Sequence, residues 1–78
     1  MEIKEYYEIL AQNLRVERAR KKISQLKLAI KAGVSVDTIN LIERAAGNPT
    51  LYTIIAIAQA LEVDLNTLIP IKNGREKN

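Results

Sequence analysis

The chain has 78 residues, a formal net charge of +3, and no cysteine or histidine. Those absences exclude disulfides, thiolate metal sites, cysteine nucleophiles and the usual general base near neutral pH. The length suits one domain, which at this size buries only about 60% of its unfolded surface and needs a well-used core.

Strands are not indicated: nothing alternates with period two, and Phe and Trp are absent. The pattern is all-α, with five helices. The first spans about residues 4–22, with Ile3, Tyr7, Leu10 and Leu14 at spacings of three and four. The second starts from Ser24 as N-cap and runs to about Ala32, with Leu28 and Ala29 inward, and Gly33 supplies the backbone that ends it. The third starts from Ser35 and reaches about Arg44 or Ala46, burying Ile39 and Ile42. The fourth begins at Thr50, after the Gly47-Asn48-Pro49 loop, and carries Leu51, Ile54, Ile55, Ala58 and Leu61. Asp64 caps a short fifth helix whose apolar face is Leu65, Leu68 and Ile69. Residues 1–70 form the domain and residues 71–78 a polar tail.

Charge is unevenly placed. Residues 15–31 hold Arg15, Arg18, Arg20, Lys21, Lys22, Lys27 and Lys31 against Glu17 alone, a local +6 that leaves −3 for the remainder. A basic zone on a nearly balanced chain suits a phosphate backbone. A solvated helix face is the plainer alternative, and charge alone does not separate the two.

The second and third helices share a link of only Gly33-Val34-Ser35. Such a link suits two helices crossing at a wide angle, as in a helix-turn-helix. Ala29 is small enough to admit the third helix, Gly33 supplies the turn, Val34 plugs the angle, and Ile39 seats the third helix on the first.

The run Ser24-Gln25-x-x-Leu28-Ala29-x-x-Ala32-Gly33-Val34-Ser35-x-x-Thr38-Ile39-x-x-Ile42-Glu43-Arg44 resembles the lambda-repressor-like, Cro-type helix-turn-helix family. The resemblance continues through Asn48-Pro49-Thr50-Leu51-x-Thr53-Ile54-x-x-Ile57-Ala58-x-Ala60-Leu61-x-Val63, and covers about residues 14–69. It implies five helices, double-stranded DNA as partner, and a homodimer on a two-fold symmetric operator with the third helix in the major groove. By the resemblance, Val36, Asp37, Asn40 and Leu41 face base edges. Gln25, with Lys27 nearby in the basic zone, meets a phosphate at the start of the second helix. Thr38, Arg44 and Asn48 fall where backbone contacts occur, and Ser35, which opens the third helix, is expected at the DNA with them. Arg18 and Glu43 match a pair that joins the first helix to the end of the third. Some positions depart from the family's pattern: Val36 and Leu41 are apolar, Asp37 is acidic, and Ala45-Ala46 stands where Gly and a basic residue are common.

The fourth and fifth helices carry more apolar side chains than one face can bury, and the surplus points to a partner surface. Leu65, Leu68 and Ile69 are its expected residues in a homodimer. The nine Asp and Glu are scattered, so no metal, cofactor or small-molecule ligand is expected, nor is an enzyme. No stretch approaches the roughly 18 apolar residues of a membrane span. Met1-Glu2-Ile3-Lys4-Glu5 is too acidic to begin a signal peptide. The expectation is a cytoplasmic transcriptional regulator without membrane association. A protein-interaction module that kept the fold and lost base reading is the alternative, motivated by Val36, Asp37 and Leu41.

Overall fold

The computed structural model describes residues 2–71 as five helices, with no strand among the described residues. They are α1 (Ile3–Lys21), α2 (Gln25–Ala32), α3 (Val36–Glu43), α4 (Leu51–Leu61) and α5 (Leu65–Leu68). Of the polar tail expected over residues 71–78, all but residue 71 lies outside the described residues.

Three hydroxyl caps start the middle helices. Ser24 Oγ accepts from the Lys27 N–H at 3.0 Å, Ser35 Oγ from Thr38 at 3.1 Å, and Thr50 Oγ1 from Thr53 at 3.1 Å. Each such cap contributes about 1 kcal/mol by satisfying a donor the helix leaves over. Asp64 has the extended backbone of an N-cap, but its side chain makes no capping hydrogen bond. A four-residue helix is held instead by its packing.

Gly33 ends α2 with φ 74°, and the N–H groups of Gly33 and Val34 both donate to the Ala29 carbonyl, at 2.9 and 3.0 Å. A Cβ on Gly33 would touch nothing within 4 Å, so the left-handed backbone alone favours glycine there. Lys22, Ala45 and Glu62 adopt the same conformation with side chains present, at φ 54°, 56° and 60°. Each carries a cost of about 1–2 kcal/mol.

The core gathers Leu10 and Leu14 of α1, Leu28 and Ala29 of α2, Ile39 and Ile42 of α3, Ile54, Ile57, Ala58 and Leu61 of α4, and Leu68 of α5. In this arrangement α2 packs on α3 and α4, while α1 packs on α3 and α5. Asn13 of α1 donates through Nδ2 to the Leu68 carbonyl at 3.0 Å, fastening the end of α5.

Three apolar positions differ from the periodicity. Ile3 is exposed because α1 begins about two turns before Leu10, its first buried residue, and Leu51 and Ile55 are exposed on α4 while Ile57 takes the inward place. Among the described residues, no helix is long and apolar enough to cross a membrane.

Candidate nucleic-acid interface

The eight residues of α3 divide cleanly between two sides. Ile39, Ile42 and Glu43 are buried. At 100° per residue, Val36, Asp37, Asn40, Leu41 and Arg44 fall within an arc of about 140° on the other side. Val36, Asp37, Leu41 and Arg44 are exposed and Asn40 half-buried. Thr38 sits at the edge, half-buried, and lines the cleft between α3 and α4 with Asn48 and Thr53. Its hydroxyl is hydrogen-bonded to Ser35 Oγ at 2.8 Å. Lys27 is exposed on the first turn of α2.

The inner side of α3 ends on a polar hub. Arg18 of α1 donates from Nε to Glu43 Oε2 at 2.7 Å and from Nη2 to Oε1 at 3.0 Å, a two-pronged ion pair. Its Nη1 donates to the Ile23 carbonyl at 3.1 Å, which ties the α1–α2 link into the same hub. Glu43 keeps only 4% of its side-chain surface, Arg18 24%. Burial pushes the Glu43 carboxyl up, but hydrogen bonds from Arg18 and Gln25, with the charges of Arg18 and Arg15, outweigh it and hold the carboxyl below its ordinary value. The Glu43 hydrogen bond raises the Arg18 guanidinium correspondingly. The hub thus fixes the C-terminal end of α3 against α1 and α2, leaving the outer arc facing solvent.

A helix-turn-helix pattern matches residues 14–68, well over half the chain. The chain belongs to the helix-turn-helix family. Its structural neighbours are lambda-repressor-like regulators of that family. The restriction-modification controller protein C.AhdI from Aeromonas hydrophila is 30% identical, with a TM-score of 0.78 over 81% of this chain and 96% of that chain. A hypothetical transcription factor from Neisseria is 30% identical, with a TM-score of 0.80 over 88% of this chain and 80% of the other. The P22 c2 repressor, solved in complex with a synthetic operator, is 28% identical, with a TM-score of 0.73 over 78% and 92%. No curated protein matches. By family and fold this helix-turn-helix protein is a DNA-binding transcription regulator.

Several residues of this helix-turn-helix protein have partners that the sequence does not announce. Gln25, expected at a phosphate, donates from Nε2 to Glu43 Oε1 at 3.0 Å and is half-buried, so its amide belongs to the hub. Arg15 donates from Nη1 to the Glu43 carbonyl and so caps the end of α3. Its place three residues before Arg18, on the same side of α1, was the available signal. Asn48 is exposed, but its Oδ1 accepts from the Tyr7 hydroxyl, linking the α3–α4 loop to α1.

The expected dimer residues separate. Leu68 is wholly buried in the monomer's own core, so it has no surface to give a partner, and its assignment to an interface is corrected. Leu65 is exposed and Ile69 half-buried. The apolar surplus lies instead on α4, where Leu51, Tyr52 and Ile55 are exposed. Among the described residues no group of His, Cys, Asp or Glu could hold a metal ion.

Proposed function

We propose that this protein is a sequence-specific transcriptional regulator that binds a two-fold symmetric operator as a homodimer, with α3 in the major groove. The observation that carries the reading is the division of α3: its inner side is held by the core and the Arg18–Glu43 pair, while Val36, Asp37, Asn40 and Leu41 stand free of those contacts on the outer arc. Asn40 suits an adenine edge, Asp37 the amino group of cytosine, and Val36 a thymine methyl. Arg44 and Lys27 supply phosphate contacts that set register without reading sequence. Two copies present their α3 helices about 34 Å apart, one helical turn of DNA. The exposed Leu51, Tyr52 and Ile55 of α4, with Leu65 and Ile69, offer the apolar surface for pairing.

The deciding experiment is fluorescence anisotropy on fragmented source DNA across a salt series. Arg44→Ala is expected to weaken binding to all fragments and to reduce the slope of log K against log salt by about 1. Asn40→Ala should change which fragments are preferred. Leu65→Asp should give monomers in sedimentation. Absence of binding at low salt by the folded protein would overturn the reading. It would favour a protein-interaction module built on the exposed Val36 and Leu41, whose contacts would be nearly insensitive to salt.

A further inference from the structure

The outer face of α2 enters the DNA reading only through Lys27, and its composition is unusual. Leu26 and Ile30, one turn apart, are 58% and 72% exposed. With Lys27 and Lys31 they line a shallow open depression closed at one end by Ser24. From residue 18 to residue 36 the chain contains no Asp or Glu, while Arg18, Arg20, Lys21, Lys22, Lys27 and Lys31 all fall there. Arg18 is neutralised by Glu43, and Arg20 lies 3.9 Å from the Glu17 carboxylate; Lys21, Lys22, Lys27 and Lys31 are exposed. A surface made only to meet phosphates gains nothing from exposing two large aliphatic side chains. One turn apart, they form a small contiguous apolar strip framed by cations rather than two scattered side chains.

We propose that this face docks a helix of a partner protein, amphipathic and acidic, whose paired aliphatic side chains cover Leu26 and Ile30 while its carboxylates lie against Lys27 and Lys31. The recognition mode is a helix laid along an apolar strip and anchored at i and i+4. Charge selects the partner: like charges along the strip repel a basic helix, and opposite charges speed encounter and fix the direction of docking. The strip is short, so the contact is weak and exchangeable. It goes beyond the proposed operator binding: Leu26, Ile30 and Lys31 are not among the residues assigned to DNA, and Lys27 alone is shared by the two surfaces.

The test uses the full chain, isotopically labelled for NMR. The probe is a capped 16-residue helical peptide with Leu at i and i+4 and Glu at i+1 and i+5, beside a control with Lys for Glu. The expected result is saturable shifts confined to residues 24–31, with the Glu peptide binding at least tenfold tighter than the Lys peptide. Ile30→Ser, which adds no charge, should weaken the Glu peptide at least tenfold while leaving DNA binding unchanged. Lys31→Glu should narrow or reverse the preference between peptides. Both sites are exposed, so circular dichroism should match that of the parent chain. Shifts elsewhere, equal affinity for the two peptides, or an Ile30→Ser variant that binds the Glu peptide as before would overturn the proposal. So would loss of DNA binding in Ile30→Ser, which would place this face on the nucleic acid.

Discussion

Removing Arg18 probes the hub that holds α3. In Arg18→Ala, Glu43, only 4% exposed in the parent, loses the hydrogen bonds at 2.7 and 3.0 Å together with the part of its cover that the Arg18 side chain supplies. Stripping one partner from a buried ion pair costs about 3–5 kcal/mol. Gln25 still donates to Glu43 at 3.0 Å, which places the cost at the low end, about 3 kcal/mol. A chain of this length has about 4–12 kcal/mol in total, so the variant stays folded but loses a large share. Glu43→Ala should cost less, about 2 kcal/mol, because the Arg18 side chain is 24% exposed and keeps its bond to the Ile23 carbonyl. Urea titration followed by helical circular dichroism at pH 7, with the double mutant closing the cycle, measures each term. A cost below about 1 kcal/mol for Arg18→Ala, or a larger cost for Glu43→Ala, would refute the reasoning.

Acid supplies a second view of the same pair. The Glu43 carboxyl is held below its ordinary value in the fold. Its contribution is therefore present above the ordinary carboxylate range and is lost as pH falls through the folded value. Stability should drop on acidification, and less in Glu43→Gln than in the parent; identical pH profiles would remove the pair as the cause. Ala45→Gly should stabilise. Relief of φ 56° is worth about 1–2 kcal/mol, offset by about 0.4–1 kcal/mol of extra freedom in the unfolded chain, so the melting temperature should rise by a few degrees. A fall would show that Ala45 makes a contact worth more than its strain. Ile39→Ala, at a fully buried position between the helices, should cost about 2–5 kcal/mol in the same urea assay. A cost below about 1 kcal/mol would mean that α3 is seated by the hub rather than by its aliphatic side chains.

The central motif was legible because its requirements are local: hydroxyl caps at Ser24, Ser35 and Thr50, a left-handed turn at Gly33, and buried Ala29 and Ile39 at helical spacing. What sequence periodicity lacks is the extent of the neighbouring element. Ile3 continues the apolar stripe of α1 yet is exposed, and Leu68 ranks beside Leu65 in the sequence while only Leu68 reaches the core. Side chains able to serve two partners were equally ambiguous. Gln25 carries an amide that suits a phosphate or a carboxylate, and the distance of Glu43 in space, not in sequence, decides where it donates. Lys22, Ala45 and Glu62 in left-handed backbone were hidden because composition marks such positions only when glycine occupies them.

The two-sided construction of α3 separates recognition from folding in a way open to engineering. Val36, Asp37 and Leu41 are exposed, and the helix is anchored by Ile39, Ile42 and Glu43 on its other side. Randomising those three outward positions together should therefore leave most members of a library folded. The domain becomes a scaffold for retargeting, with the hub and core kept constant and selection acting on the outward residues alone.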